Sequence, residues 1–456
     1  MKQRWILMLV GGAVVWASVT AWGKVVATAR SPEGKFPEFR VELDAAGTPV
    51  AVANFMGLVD GSQRWVDPKT KLVRGGEGDG FYQGMVFDWN AGSVLRGGLK
   101  GVVGTNGTVE YTGRPGYTIR SEVGTNGWNT VDEGTLAYVE RMPVEKWLQG
   151  WMGWEVNVLN SGGGELGLFL EAGLVPWTVF GHVAAGDEEA LWALADAVAA
   201  GVTAVEWSVD TVGMTEAERS ALEKAKAELP VVEGIVARVN GGGGVEWEVS
   251  GRSRLMVSTA TNLVTGWKGI EEGWNEGTEE TGIGAVWEEL GLRGGTGFAS
   301  FAEVRYPGMA GAPLEGKWRI GAEHTDKRMQ YWLDFNGGTN GGTGMWAQVE
   351  SGSITAAGTV TNVTCERRTA NSLLVTFSMG AGVPYYWFSV ATNGAMEGRF
   401  QSVQVSLGGA EKDSGTYEWA EGWGETEKAV VRRLARKGES EAPRLGGVSP
   451  GGRRGE

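Results

Sequence analysis

The stretch FYQGMVFDWNAGSVLRGG, Phe81 to Gly98, decides the fold. Its apolar positions Met85, Phe87, Val94 and Leu95 surround a polar, aromatic middle, and glycines punctuate the pattern. Short apolar runs broken by glycines are typical of β-strands joined by tight turns. The stretch therefore predicts β-structure on both sides of its polar middle.

The composition of the whole chain favours the same class of structure. With 456 residues the chain is long enough for two or three domains, and its 76 glycines and 22 tryptophans favour β-rich structure with tight turns. The net charge of -14 disfavours general nucleic-acid binding and would repel anionic membrane surfaces.

The first residues have the layout of a secretory signal peptide. Lys2 and Arg4 precede an apolar run from Trp5 to Val19, and small residues follow around Ala21 and Gly23. We therefore predict a signal peptide over residues 1–23 and an exported protein that is periplasmic, at the cell surface or extracellular. No later segment has the length of a transmembrane helix, so no membrane span is expected after signal removal.

Turn residues and helix-capping residues locate the next elements of secondary structure. The runs Val25 to Ala29 and Phe39 to Leu43 predict a β-hairpin. Thr48 as N-cap, Pro49 at the first helical position and Gly61 as the stop predict a helix. Two more helices are predicted by the acids of 187–189 and by the capping box of 215–218, and a strand is predicted over 231–239.

The opening stretch resembles the segment that supplies the catalytic arginine in cyclophilin-type peptidyl-prolyl isomerases. That family usually reads Tyr-x-Gly-x-x-Phe-His-Arg-Val, then Gly-Phe-x-x-Gln-Gly-Gly, and Tyr82, Gly84, Phe87 and the pair at 97–98 match it. Asp88 and Trp89 replace His-Arg, and Arg96 replaces the Gln before the glycine pair; the stretch is also one residue shorter.

Further segments resemble the family in the same order along the chain. They are Val41 to Leu43 with Pro49, Val52, Asn54 and Phe55; Gly113 to Glu122; Gly134 to Ala137; Leu168 to Leu170, with Gly167 where the family has Gln; and Trp177 to Val183. The resemblance covers roughly residues 24–239 and implies a mainly β fold, a cyclophilin-like antiparallel β-barrel with flanking helices.

The resemblance also implies a function and a site. The implied function is isomerisation of Xaa-Pro bonds, weak or lost here, with proline-containing peptides or unfolded exported proteins as partners and with no cofactor or metal. Arg96 is the candidate catalytic donor, because a guanidinium could stabilise the twisted amide as the family's arginine does. The implied substrate groove contains Phe87, Asp88, Trp89, Leu95, Tyr138, Phe169 and Trp177.

Beyond the barrel the sequence predicts more β-structure. We expect a small β-rich module over 240–311, opened by the glycines of 241–244, and a sandwich or barrel-like module over 312–428. The segment 429–456 is rich in arginine, glycine and proline, so a disordered basic tail is predicted there.

Two other classes of function stay open on the sequence alone. A secreted scaffold could bind peptides or glycans through Trp-rich surfaces without catalysis, and a cell-surface component could use every module as a spacer. The sequence offers few ligands for zinc and few residues for Cys-His catalysis, because His182, His324 and Cys365 are the only residues of their types. A single cysteine also excludes an intramolecular disulfide.

Overall fold

The structure is a computed structural model. It describes residues 25–418 except for 69, 91, 104–108, 112–114, 123–128, 140, 144–154, 158–161, 176, 240–244, 250–252, 261–262, 264–266, 276–280, 286–296, 308–316, 324–327, 335–339, 351–352, 370–371, 379–384, 392–396 and 407–408. The chain divides into two compact units, one formed by residues 1–311 with 367–372 and the other by 312–366 with 373–456.

The described part of the first unit contains three helices and many short strands. The helices are α1 (Pro49–Asp60), α2 (Glu188–Ala200) and α3 (Glu216–Lys226). The strands are β1 (Val25–Arg30), β2 (Phe39–Leu43), β3 (Trp65–Val66), β4 (Val73–Arg74), β5 (Met85–Asn90), β6 (Val94–Val103), β7 (Val109–Tyr111), β8 (Asn129–Val131), β9 (Thr135–Tyr138), β10 (Arg141–Pro143), β11 (Glu155–Asn157), β12 (Leu166–Phe169), β13 (Gly173–Val175), β14 (Val179–Val183), β15 (Thr203–Asp210), β16 (Val231–Val239), β17 (Val245–Val249), β18 (Ser253–Ala260), β19 (Lys268–Asn275), β20 (Thr281–Ala285) and β21 (Gly297–Arg305).

Eight of these strands form a closed antiparallel barrel. Their order is β12, β9, β14, β2, β1, β15, β5 and β6, and β6 pairs back to β12, which closes the sheet. Closure leaves the barrel without the unpaired edges of an open sheet. The predicted mainly β class is thereby confirmed, with three helices accompanying the barrel in the part of the unit that is described.

The predicted hairpin and helices form where the turn residues and helix-capping residues indicated. β1 pairs with β2 in an antiparallel register that places Val25 opposite Leu43. Gly61 ends α1 in the left-handed conformation with φ of 83°, which glycine adopts without steric cost. The predicted capping box at α3 is present, because the Thr215 hydroxyl accepts from the Glu218 N–H and the Glu218 carboxylate accepts from the Thr215 N–H.

The N-terminal cap of α1 differs from the prediction. The Thr48 side chain does not cap the helix, and its hydroxyl donates instead to the Asp44 carbonyl oxygen at 3.1 Å. The first N–H groups of α1 donate to the Glu122 carboxylate, from Val50 at 3.2 Å and from Ala51 at 2.9 Å. A carboxylate at this end also complements the helix macrodipole, so a distant acid replaces the local cap.

The strand predicted over 231–239 is present, and it pairs outside the barrel. β16 lies along β21 over its whole length, with Val231 opposite Arg305 and Val239 opposite Gly297. Together with β18 and β19 these strands form a four-stranded sheet in the order β16, β21, β18, β19. The apolar alternation predicts a strand, but it does not select the partner strand.

This four-stranded sheet shares a hydrophobic core with the barrel. Met256, Ala302 and Val304 are buried in the same cluster as barrel residues such as Phe39. The half-buried Arg254 guanidinium donates from Nη1 to the Gly116 carbonyl oxygen at 3.0 Å. The sheet therefore stabilises the barrel directly, through apolar contacts and a partly buried hydrogen bond.

The second unit contains one eight-stranded sheet in chain order. Its strands are β22 (Lys317–Glu323), β23 (Arg328–Asp334), β24 (Asn340–Glu350), β25 (Ser353–Thr369), β26 (Ser372–Ser378), β27 (Tyr385–Ala391), β28 (Glu397–Ser406) and β29 (Gly409–Glu418). The first strand, β22, also lies beside the last, β29, so the sheet curls towards closure.

Some predictions lie outside the described residues: the signal peptide at 1–23, the glycine linker at 241–244 and the basic tail at 429–456. Among the helices that the structure does describe, none has both the length and the apolar character needed to cross a membrane.

Candidate functional site

An apolar cluster covers the outer face of three neighbouring barrel strands. Side chains alternate between the two faces of a strand, so Leu136 and Leu168 point into the barrel core while Ala137 and Phe169 point outward. We call the outward set the outer cluster: it consists of Val94, Val131, Ala137, Val139, Phe169 and Trp177. The Phe169 and Trp177 rings are tilted against each other with centroids 5.7 Å apart.

Gly167 lies at the middle of the outer cluster. It pairs with Arg96 of β6 on one side and with Ala137 of β9 on the other. A Cβ atom at Gly167 would lie 3.2 Å from the Trp177 ring and 3.4 Å from a Val94 methyl group. The Trp177 ring and the Val94 methyl group therefore pack directly over Gly167, which is itself buried.

An ion pair lies at the edge of the outer cluster. The Arg96 Nε atom donates to the Glu165 carboxylate at 2.7 Å, and Arg96 Nη2 contacts the same oxygen. The two side chains are only 14% and 7% exposed. Separating a buried pair of this kind leaves an uncompensated charge and costs about 3 to 5 kcal/mol. The guanidinium is therefore held in place by Glu165.

Asp88 occupies a bulge beside that ion pair. Phe87 lies opposite Gly97 and Trp89 lies opposite Arg96, so Asp88 is the extra residue on β5. Its side chain is half-buried. Burial raises the pKa of the Asp88 carboxyl, and the positive charge of Arg96 offsets part of that rise.

The structure divides the sequence-predicted groove residues between two environments. Phe169 and Trp177 lie in the outer cluster, next to Arg96 and Asp88. The side chains of Phe87, Leu95 and Tyr138 are fully buried in the main core. Those three were predicted to line the groove; in the structure, strand alternation turns their side chains to the inner face of the barrel. The side chain of Trp89 lies outside the described part of the structure.

Tyr138 belongs to a buried hydrogen-bond network centred on Asn54. The Asn54 Nδ2 atom donates to the Tyr138 hydroxyl and to the Gly163 carbonyl oxygen, both at 2.9 Å. The Tyr117 hydroxyl donates to Asn54 Oδ1 at 2.9 Å. Burial raises the pKa of the Tyr138 hydroxyl, so it stays protonated and available for hydrogen bonding. The network fixes α1 against the glycine loop that leads into β12.

A polar cleft of about 710 Å³ opens beside the outer cluster. Val179 belongs to its lining and also packs against the outer cluster. Asn129, another lining residue, donates from Nδ2 to the Trp177 carbonyl oxygen at 2.8 Å. The full lining is Asp44, Ala46, Gly47, Thr48, Pro49, Arg120, Ser121, Glu122, Asn129, Thr130 and Val179. An extended ligand could therefore contact the apolar cluster and hydrogen-bonding groups at once.

Sequence reasoning missed Glu165. The partner of Arg96 is 69 positions away in the chain, so no local pattern indicates the pair. One signal was available. Glu165 is a single acid inside the run GGGELGLFL, and a carboxylate in such an apolar, glycine-rich strand needs a cationic partner if it is buried.

Comparison with known proteins identifies no relative. No protein-family model matches the chain, and neither the curated proteins nor the solved structures contain a significant match.

Proposed function

We propose that this protein is an exported homologue of the cyclophilin-type peptidyl-prolyl isomerases that binds Xaa-Pro segments of polypeptides with weak or lost catalysis. The observation that supports this best is the apolar cluster packed over Gly167, in which Trp177, Val94 and Val139 adjoin the Arg96–Glu165 ion pair. A proline ring is apolar and compact, so it can be buried among these side chains once they separate. The closed antiparallel barrel is compatible with the resemblance of the sequence segments.

The ion pair supports weak or lost catalysis. Isomerisation of an Xaa-Pro bond requires a donor that stabilises the twisted amide better than the planar one. Arg96 would have to separate from Glu165 in order to turn towards a substrate. The free energy needed to separate this buried ion pair opposes any stabilisation of the twisted amide that Arg96 could supply. Binding does not require the guanidinium to leave Glu165, because an apolar contact with the outer cluster needs no hydrogen-bond donor.

Burial of the outer cluster limits how a peptide reaches it. Trp177 is 4% exposed and Phe169 is 6% exposed. A peptide therefore binds only after the cluster opens, and the free energy of opening reduces the apparent affinity. We accordingly expect micromolar or weaker binding, as is suitable for transient contact with unfolded chains.

The proposal is tested by prolyl cis/trans exchange NMR on Xaa-Pro peptides mixed with the full chain. We expect peptide signals to shift and broaden with less than about tenfold acceleration of exchange. The matched variant changes Arg96→Gln and Glu165→Gln together, so that no buried charge is left unpaired. It should retain peptide binding and the same exchange rate, because the guanidinium makes no catalytic contribution in this account.

Two results would contradict the proposal. Strong acceleration by the wild-type chain that disappears in the double variant would identify Arg96 as a working catalytic donor. Unchanged peptide signals at millimolar protein would show that the barrel does not bind Xaa-Pro segments and would favour the spacer class.

A further inference from the structure

Trp192 is exposed on helix α2, beside the turn between β8 and β9. It is 43% exposed, and it is the only exposed tryptophan among the described residues. Its indole Nε1 atom donates to the Glu133 Oε1 atom at 2.6 Å, across 59 positions of the chain. This hydrogen bond holds the ring in place, so little side-chain entropy is left to lose when a ligand contacts it.

Helix α2 places further carboxylates next to the ring. Glu189 precedes Trp192 by three positions, Asp196 follows it by four, and both acids are exposed. Residues three or four positions apart are neighbours on the surface of a helix. Together with Glu133, these residues surround an exposed aromatic ring with carboxylates. The ring distinguishes this surface from an ordinary solvated acidic face.

The three carboxylates form no ion pair with any residue that the structure describes. Arg40, the cation at the start of α2, is already paired with Asp187 at 2.9 Å. The His182 imidazole contacts a different acid of the turn, Asp132, at 3.1 Å. Residues 147–218 contain no lysine or arginine. The surface around the ring therefore attracts a positively charged partner.

A guanidinium group matches both the ring and the carboxylates. It is planar and stacks on aromatic faces, and tryptophan attracts cations more strongly than the other aromatic side chains do. The Glu133 Oε2 atom makes no hydrogen bond within the described residues, so it can accept from a guanidinium that lies over the ring. A lysine ammonium is a point charge without a planar face, so it fits this surface less well.

We propose that Trp192 and Glu133 form a docking site for an arginine side chain in a basic segment of a partner polypeptide. Glu189 and Asp196 lie about 10 Å apart along the helix axis, because each residue rises by roughly 1.5 Å. They attract further basic residues that lie about three positions apart in an extended segment. The inference does not depend on the proposed function, because no residue of the outer cluster takes part.

The test uses three peptides of the sequence Gly-Ser-Xaa-Gly-Ser-Gly, in which Xaa is arginine, lysine or citrulline. Citrulline has nearly the shape of arginine and carries no charge. Dissociation constants for the full chain are measured from the broadening of the peptide NMR signals. We expect the arginine peptide to bind about fivefold tighter than the citrulline peptide at low salt, with the lysine peptide between them. High salt should reduce this ratio.

The indole N–H signal of Trp192 reports where the peptides bind, and it is identified by its absence from the Trp192→Leu variant. We expect this signal to shift in a saturable way with the arginine peptide. Glu133→Gln is the matched variant, because an amide oxygen can still accept from the indole while the charge is removed. Glu77→Gln is the control, because Glu77 is exposed in the loop between β4 and β5.

Trp192→Leu and Glu133→Gln should each remove most of the preference for arginine over citrulline, and Glu77→Gln should leave it unchanged. Equal binding of the arginine and citrulline peptides by the wild-type chain would overturn the inference. A preference that survives in either Trp192→Leu or Glu133→Gln would also overturn it, as would binding that leaves the Trp192 signal unshifted.

Discussion

Replacing Asn54 with leucine should lower the free energy of unfolding by about 3 to 5 kcal/mol. The side chain is fully buried, and its amide donates to Tyr138 and to the Gly163 carbonyl oxygen while accepting from Tyr117. Leucine has a similar volume, so the cost comes from buried polar groups left without partners and not from a cavity. Each such group costs about 1 to 3 kcal/mol.

Chemical denaturation of the Asn54→Leu variant measures this loss. Tyr138→Phe is the matched control, because it removes one hydroxyl and leaves Asn54 Nδ2 donating to Gly163. That variant should lose only about 1 kcal/mol. A loss below 1 kcal/mol for Asn54→Leu would mean that the network does not hold α1 against the loop before β12.

Replacing Met256 with aspartate should destabilise the barrel together with the four-stranded sheet. Met256 is 1% exposed and lies in the cluster that also contains barrel residues. The substitution removes about 1.5 to 3 kcal/mol of apolar burial and introduces an unpaired carboxylate, so we expect a loss of about 4 kcal/mol or more. Because the core is shared, the loss should reach the barrel strands themselves.

Hydrogen exchange of backbone amides in β1 and β2 measures that effect, and Leu263→Asp is the control. Leu263 is 56% exposed, so its replacement should change stability by less than about 0.5 kcal/mol. If the barrel amides keep full protection in Met256→Asp, the sheet and the barrel are independent folding units. For the same reason, functional experiments require a chain that extends beyond β21, and not one that ends at Val239.

The sequence predicts local elements well because their signals are local. Pro49 and Gly61 bound α1, and Thr215 with Glu218 caps α3, as the structure shows. These residues act through conformational restriction or through hydrogen bonds within one turn. The apolar alternation of β16 likewise predicts a strand.

Partners that are distant in the chain could not be predicted in this way. Glu122 accepts hydrogen bonds from the start of α1 although it lies 71 positions from Ala51 in the chain. Glu165 forms an ion pair with Arg96 although the two are 69 positions apart. The pairing of β16 with β21 is equally remote, so a strand assigned to the barrel by continuity belongs to the next sheet. The Arg96–Glu165 contact depends on barrel closure, which places β6 against β12.

The residues that the resemblance indicated for the site lie in two different places in the structure. The resemblance to the cyclophilins named the strands that carry it, and Phe169, Trp177, Asp88 and Arg96 do lie around one outer face. Phe87, Leu95 and Tyr138 were included because the resemblance implies that they line the groove. A residue next to a groove residue in a strand points to the opposite face, and these three pack in the barrel core.

We expect the outer cluster around Gly167 to bind proline, and methyl NMR during a peptide titration measures this binding at the cluster itself. The full chain is titrated with the tetrapeptide Ala-Ala-Pro-Phe amide and, as a control, with the same peptide carrying Ala in place of Pro. We predict saturable shifts of the Val94 and Val139 methyl signals with the proline peptide only, and no shift of Val212, which is 86% exposed. Saturable binding that leaves Val94 and Val139 unshifted would contradict the claim.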